Sequence, residues 1–239
     1  MIDFLKRLFL VRKCVVCRKV MLDDTREEVF CNECRAEYER LKALRCRICG
    51  REHRLCRCLP PRLFHDVAHA VHLIPYRDAF AHRLIYVLKR KNDRVTRRFL
   101  AGELVRAVRD AGVSTADCDV SFVPRLPKSI GYYGFDHSRT LARAFARMLG
   151  LPLKRLFRHK RRTPLQKNLT VWEREENARR SYHLRRRLPR ERGRRLILVD
   201  DVVTSGCTMA RLASLAKSVG YEEIIVVSLA RAIFRRGRI

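Results

Sequence analysis

Residues Leu196–Met209 read LILVDDVVTSGCTM, and this stretch decides the fold. Four apolar residues, Leu196 to Val199, run without a break, as suits a strand buried on both faces. Two carboxylates, Asp200 and Asp201, follow. A short loop of hydroxyls and one glycine comes next: Thr204, Ser205, Gly206, Cys207 and Thr208. Beyond it Met209, Leu212, Ala213, Ala216 and Val219 recur at helical spacing. The order is strand, acidic pair, phosphate-sized loop, helix. The free N–H groups of a helix N-terminus attract an anion. Gly206 lacks a Cβ, so the backbone can approach that anion closely. The loop hydroxyls add donors, while the two carboxylates can accept hydrogen bonds from sugar hydroxyls.

A ribose 5-phosphate needs those two halves side by side. The stretch resembles the phosphoribosyl-pyrophosphate (PRPP) signature of type I phosphoribosyltransferases. The resemblance implies that Asp200 and Asp201 hold the ribose hydroxyls, with Mg²⁺ nearby. It implies that Thr204, Ser205, Gly206, Cys207 and Thr208 hold the 5′-phosphate.

The bulk of the chain sets bounds on this reading. Its 239 residues leave room for one sizeable core, or a core plus a small module. A hydrophobic share of 47% excludes a disordered chain. The net charge of +29 calls for a polyanionic partner, nucleic acid or an anionic membrane surface. No run approaches the ~20 apolar residues of a transmembrane helix. Met1–Leu10 (MIDFLKRLFL) is amphipathic, is broken by Lys6 and Arg7, and meets Cys14 with no small-residue cleavage site. It reads as a helix packed on the next module rather than as a signal peptide.

Eight of the ten cysteines lie between Cys14 and Cys58, as Cys14-x-x-Cys17, Cys31-x-x-Cys34, Cys46-x-x-Cys49 and Cys56-x-Cys58. Close pairs of this kind read as Zn²⁺ ligands, since two pairs complete a thiolate tetrahedron. Sequential pairing gives one site from Cys14, Cys17, Cys31 and Cys34, and another from Cys46, Cys49, Cys56 and Cys58. Interleaved pairing stays open, with His53 and His65 as spare ligands. A segment this short builds little core, so metal supplies its stability.

Pro60-Pro61 marks a boundary, giving a double zinc ribbon over 1–62 and an α/β domain over 63–239. Within the latter, strands are expected at Val67–Ile74, Asp119–Pro124 and Glu223–Ala230. Helices are expected at Tyr76–Lys91, at Phe99–Val108 and from about Leu141 to Leu149, with a loop marked by Gly131 and Gly134. The fold class is α/β: a parallel sheet of phosphoribosyltransferase type, with helices on both faces. The tail Arg235–Arg238 reads as frayed.

The run Val123–Ser138, the helix end at Lys89, the segment around Gln166 and the cysteine pairs are similar to the ComF family. These are competence-associated, phosphoribosyltransferase-like proteins with an N-terminal zinc ribbon. The resemblance extends from Cys14 to Arg231. It implies cytoplasmic location, contact with single-stranded DNA during uptake, and a helicase or translocase partner. The family's Arg-Gly-Phe-Asn-Gln-Ser loop is here Tyr133-Gly134-Phe135-Asp136-His137-Ser138. The resemblance places this loop near pyrophosphate, where Asp136 adds negative charge.

Lys154–Arg195 carries 17 Lys and Arg against 4 Asp and Glu, a net of +13. Trp172 and Tyr182 interleave with cations such as Arg174, Arg179 and Arg180, a composition suited to single-stranded nucleic acid. Two functions follow from the sequence. One is a binding protein for single-stranded DNA with PRPP as ligand. The other is an active phosphoribosyltransferase whose acceptor and catalytic residues the sequence does not identify.

Overall fold

A computed structural model describes residues 12–21, 28–56, 58–63, 65–160 and 170–232. The expectations for Met1–Leu10, Gln166 and the tail lie outside these residues. In chain order the elements are β1 (Arg12–Lys13), β2 (Val20–Met21), α1 (Asn32–Ala43), β3 (His69–Pro75), α2 (Ala79–Arg90), α3 (Arg94–Asp110), β4 (Cys118–Phe122), α4 (Pro127–Tyr133), α5 (His137–Leu149), β5 (Phe157–His159), α6 (Val171–Ser181), β6 (Tyr182–Leu184), β7 (Arg195–Val203), α7 (Cys207–Lys217) and β8 (Glu223–Arg231). Two short helical turns, His53–Leu55 and Pro61–Leu63, fall between α1 and β3.

The main sheet has the order β3-β8-β7-β4, and every pairing in it is parallel. β8 and β7 are interior, which explains their unbroken apolar sequence. Alternation splits them between the two faces. Ile197, Val199, Ile225 and Val227 join one core with α2, α3 and α5. Leu196, Leu198, Ile224 and Val226 join a second core with α7. Of the helices that follow β4, α5 therefore packs on one face, and α7, which follows β7, packs on the other. The crevice between these neighbouring strand ends is a topological switch point, the place where open α/β sheets take ligands.

The segment around Gly131 and Gly134 is not a loop. Pro127 opens α4 at its first turn, and Gly134 closes it with φ +75°. Proline at the start and glycine just past the end is the usual helical asymmetry, read by sequence as punctuation only.

The first cysteine-bearing segment shares the first of these cores. Phe30 stacks on Tyr38, Phe80 and Phe99 with ring centroids 5.1, 5.7 and 5.4 Å apart. On α3, Glu103 is buried and accepts from Lys42 of α1 at 2.7 Å, and from Arg106. Burial pushes the Glu103 carboxyl up, and the two cations more than reverse this, so it sits below its ordinary value. Stabilisation from such a lowered acid is fully present above the unfolded pKa of about 4.3 and fades as pH falls towards the folded value. Glu103→Gln is expected to cost about 1–3 kcal/mol at neutral pH. Chemical denaturation of both proteins would show the gap narrowing below about pH 4.3.

Candidate functional site

The strand end, the loop and two distant segments converge on the β4–β7 crevice. Asp201 is buried near the end of β7, and its Oδ1 accepts from the Val202 N–H at 2.8 Å. Its Oδ2 lies 3.0 Å from Lys89 Nζ at the end of α2 and 3.0 Å from His137 Nε2 at the start of α5. Asp200 Oδ1 accepts from Ser138 Oγ at 2.9 Å. Burial pushes Asp201 up, but contact with His137 and Lys89 outweighs it and holds this carboxyl well below the ordinary range. Asp200 is pushed well up, first by burial and then by the adjacent Asp201 charge. One member of the pair is thus strongly ionised while the other resists ionisation.

Donor chemistry at this point fits a hard divalent cation or sugar hydroxyls. Ligand atoms of His137, Asp200 and Asp201 lie within 4.8 Å of one another. Asp201 Oδ2 is buried against the Lys89 and His137 nitrogens. Carboxylate oxygens suit Mg²⁺, which keeps several of its own waters.

Beyond β7 the chain turns through Thr204 and Ser205 to Gly206, which caps α7 at φ +82°. Its φ calls for glycine, and a Cβ there would sit tightly, 3.3 Å from Pro60 Cβ and 3.4 Å from Leu63 Cγ. Thr204, Ser205 and Thr208 remain accessible, whereas Cys207 is buried and offers a ligand only its backbone. Tyr182 lies beside the Thr208 side chain and stacks edge-on against His159 at 4.8 Å. It therefore belongs to the loop's surroundings rather than to a cationic face.

The three departures from the family loop each have a place. Asp136 is spent on backbone: its carboxylate accepts from the Arg125 and Arg139 N–H groups, both at 3.1 Å, and caps α5. Its charge serves a helix N-terminus, where an anion is favoured. His137 is the neighbour of Asp201. The ring of Tyr133 has the Arg125 guanidinium 4.7 Å away and that of Arg90 6.0 Å away, so positive charge stands beside the position where the family has arginine.

The cysteines form two clusters, paired sequentially. The sulfurs of Cys14, Cys17, Cys31 and Cys34 lie within 4.8 Å of one another, and so do those of Cys46, Cys49, Cys56 and Cys58. His53 is buried outside both clusters, and His65 joins neither. Sulfurs of Cys17 and Cys31 are 3.5 Å apart, those of Cys49 and Cys56 3.7 Å. A tetrahedron with Zn–S near 2.3 Å has edges of roughly 3.8 Å, so both clusters can hold Zn²⁺. Each is built on the same turn. Cys14 and Cys46 donate backbone N–H to the carbonyls of Lys19 and Arg51, and Arg18 and Gly50, both at positive φ, close the turns. Burial pushes the Cys14 and Cys46 thiols up, but backbone donors more than reverse this and hold them at about 7 and about 6. In these two that favours the thiolate, the form that binds metal, whereas burial pushes Cys17, Cys34, Cys56 and Cys58 up. Arg231, buried at the end of β8, reaches the second cluster. Its Nη2 is 3.8 Å from Cys46 Sγ and 3.6 Å from Cys56 Sγ, and its Nη1 donates to the Cys58 carbonyl.

The residues selected for nucleic acid lie together on α6, but with compensation the composition hides. Trp172 is 73% exposed. Arg179 and Arg180 pair with Glu175 and Glu176 one turn back, at 3.7 and 2.7 Å. The helix carries Arg174, Arg179 and Arg180 against Glu173, Glu175 and Glu176, so its net charge is zero. Sequence counting over Lys154–Arg195 averaged a neutral helix with strongly basic flanks.

A parallel sheet whose switch point joins an acidic strand end to a hydroxyl-lined helix N-terminus defines a phosphoribosyltransferase-like domain. The family profile described as Phosphoribosyl transferase domain matches residues 136–238. Competence protein F of Haemophilus influenzae is 32% identical over 100 residues, 41% of this chain and 44% of that protein. The match thus spans less than half the length of that relative. DNA utilization protein YhgH of Salmonella typhimurium is 29% identical over 160 residues, 66% of this chain and 69% of that one. Among solved structures, orotate phosphoribosyltransferase from Aeropyrum pernix is 17% identical, with a TM-score of 0.35 over 63% of this chain and 76% of that chain. These matches support a ComF-like protein with a phosphoribosyltransferase-like domain. Among the described residues no helix is long and apolar enough to cross a membrane.

Proposed function

We propose that this chain is a competence protein that binds single-stranded DNA during natural transformation and holds PRPP in the β4–β7 crevice. The observation that carries the PRPP reading is the junction of two halves on one strand end. The paired carboxylates of Asp200 and Asp201 meet the α7 N-terminus across Thr204–Thr208. In this reading the carboxylates take the ribose hydroxyls and Mg²⁺, the loop takes the 5′-phosphate, and the eight clustered cysteines hold two Zn²⁺. The competence role and DNA as partner are carried over from the relatives named Competence protein F and DNA utilization protein, and the net charge of +29 supports a polyanion. Cytoplasmic location and a helicase or translocase partner belong to the same reading.

A second reading, active transfer of ribose 5-phosphate to a nitrogen nucleophile, gains support from Asp136. Its engagement with backbone N–H groups keeps its charge off an incoming pyrophosphate. Calorimetry should detect PRPP binding that strengthens with Mg²⁺. Pyrophosphate release across a panel of bases and amines separates transferase from binding protein. Absence of PRPP binding under both conditions would remove the crevice reading.

A further inference from the structure

An uncompensated cationic surface lies away from α6. Between α5 and the β5–β6 hairpin is a cavity of about 370 Å³. Six arginines line it: Arg125, Arg139, Arg143, Arg155, Arg158 and Arg185, against the single acid Asp136. Asp136 is committed to backbone N–H groups. Among the described residues none of the six arginines forms an ion pair with a carboxylate. The Nε of Arg139 is buried with no partner, and Arg143 and Arg155 stand close enough to repel it. Like charges held together without counter-charge create a strongly positive potential that attracts an anion.

From this cavity an aromatic path leads outward. Arg125 lines the cavity and stacks on Tyr133 at 4.7 Å. Tyr133 meets Tyr132 edge-on at 4.8 Å, and Tyr132 is 79% exposed. Arg90 lies 4.5 Å over Tyr86, which is 54% exposed, and 6.0 Å from Tyr133. Exposed rings that alternate with stacked guanidinium groups offer base faces and phosphate contacts in turn. A duplex hides its base faces, whereas a single strand presents them.

We propose that single-stranded nucleic acid lies along this track, its bases on Tyr86 and Tyr132 and its phosphates in the arginine cavity. The proposal rests on the reading that the chain binds single strands, and it moves the contact from α6 to the rim of the β4 side. Arginine recognises phosphate bidentately, and the rings read any base, so sequence preference is slight.

The test is fluorescence anisotropy of the whole chain with a labelled oligothymidine of roughly 16 nucleotides, over a salt series. Arg143→Ala/Arg158→Ala is expected to reduce the steepness of the salt dependence by about 0.7 for each phosphate that is no longer neutralised. Tyr132→Ala should weaken binding roughly 5- to 150-fold, the range of one stacked base, and leave that steepness unchanged. These are exposed side chains, so unchanged melting curves verify folding. Trp172→Ala/Arg179→Ala/Arg180→Ala on α6 should have the smaller effect. Wild-type binding that survives the track variants and fails in the α6 variant overturns the track and keeps the single-strand reading. Wild-type binding no tighter than the generic 10⁻⁴–10⁻⁶ M range at physiological salt overturns both. If inorganic pyrophosphate binds the cavity and the arginine variant loses pyrophosphate but keeps the strand, the cavity is a small-anion site and the proposal is wrong.

Discussion

Stripping metal from the purified chain is expected to unfold the cysteine-bearing segment and to weaken everything packed on it. Two Zn²⁺ per chain are expected, one for each cysteine cluster. Apparent binding free energies of structural zinc reach roughly 10–16 kcal/mol, more than the whole stability of many domains. The effect cannot stay local. Phe30, beside the first cluster, and Tyr38 of α1 share a core with Phe80 and Phe99. For a chain of this size each kcal/mol lost lowers Tm by roughly 2–4 °C, so a chelator should displace the melting curve by tens of degrees or abolish it. Cys14→Ser and Cys46→Ser attack the clusters one at a time, and loss of one zinc per variant assigns the ions. A metal-free protein that melts like the original, with those cysteines joined as disulfides, would overturn the metal reading.

The second large effect concerns PRPP. With Mg²⁺, PRPP at 100 times its dissociation constant should stabilise the chain by roughly 2.7 kcal/mol. Replacing Asp200 and Asp201 together by Asn should abolish that stabilisation and leave a folded protein. Asp200 already resists ionisation, so a neutral amide there changes little. Asp201 is the ionised partner of Lys89, and that lysine is 38% exposed and can turn to water. Thr208→Val should reduce the ligand response by about 0.5–1.5 kcal/mol, the worth of one hydrogen bond. Thermal melts with and without PRPP and Mg²⁺ read all of this. If the double Asn variant responds as wild type does, the acidic pair does not hold the ribose.

The strands were legible because burial on both faces leaves an unbroken apolar run, seen at Leu196–Val199 and again in β8. The clusters were legible because two thiolates must sit close in sequence to share a turn. The partners of the carboxylates were not. Lys89 and His137 reach Asp201 from segments far apart in sequence, through sheet order alone, and no local pattern records that. Asp136 sits three residues before Arg139 at the mouth of an apolar helix, which is an N-cap signal, yet comparison with the family loop made it look like a charge aimed at the ligand. The ion pairs along α6 were hidden for the opposite reason, since counting charge along a segment ignores which side chains cancel one turn away.

Arg231 couples the order of synthesis to the order of folding. Among the described residues β8 follows every other strand, yet it lies between β3 and β7. Until residue 231 leaves the ribosome, β3 has no neighbour in the sheet, and the second cysteine cluster lacks the guanidinium that rests on its sulfurs. The first cluster, complete by Cys34, has no such wait. A nascent chain would close its first metal site early and carry β3 unpaired through the remaining synthesis. The second metal site and the sheet itself would then be completed together by β8, in a single late step.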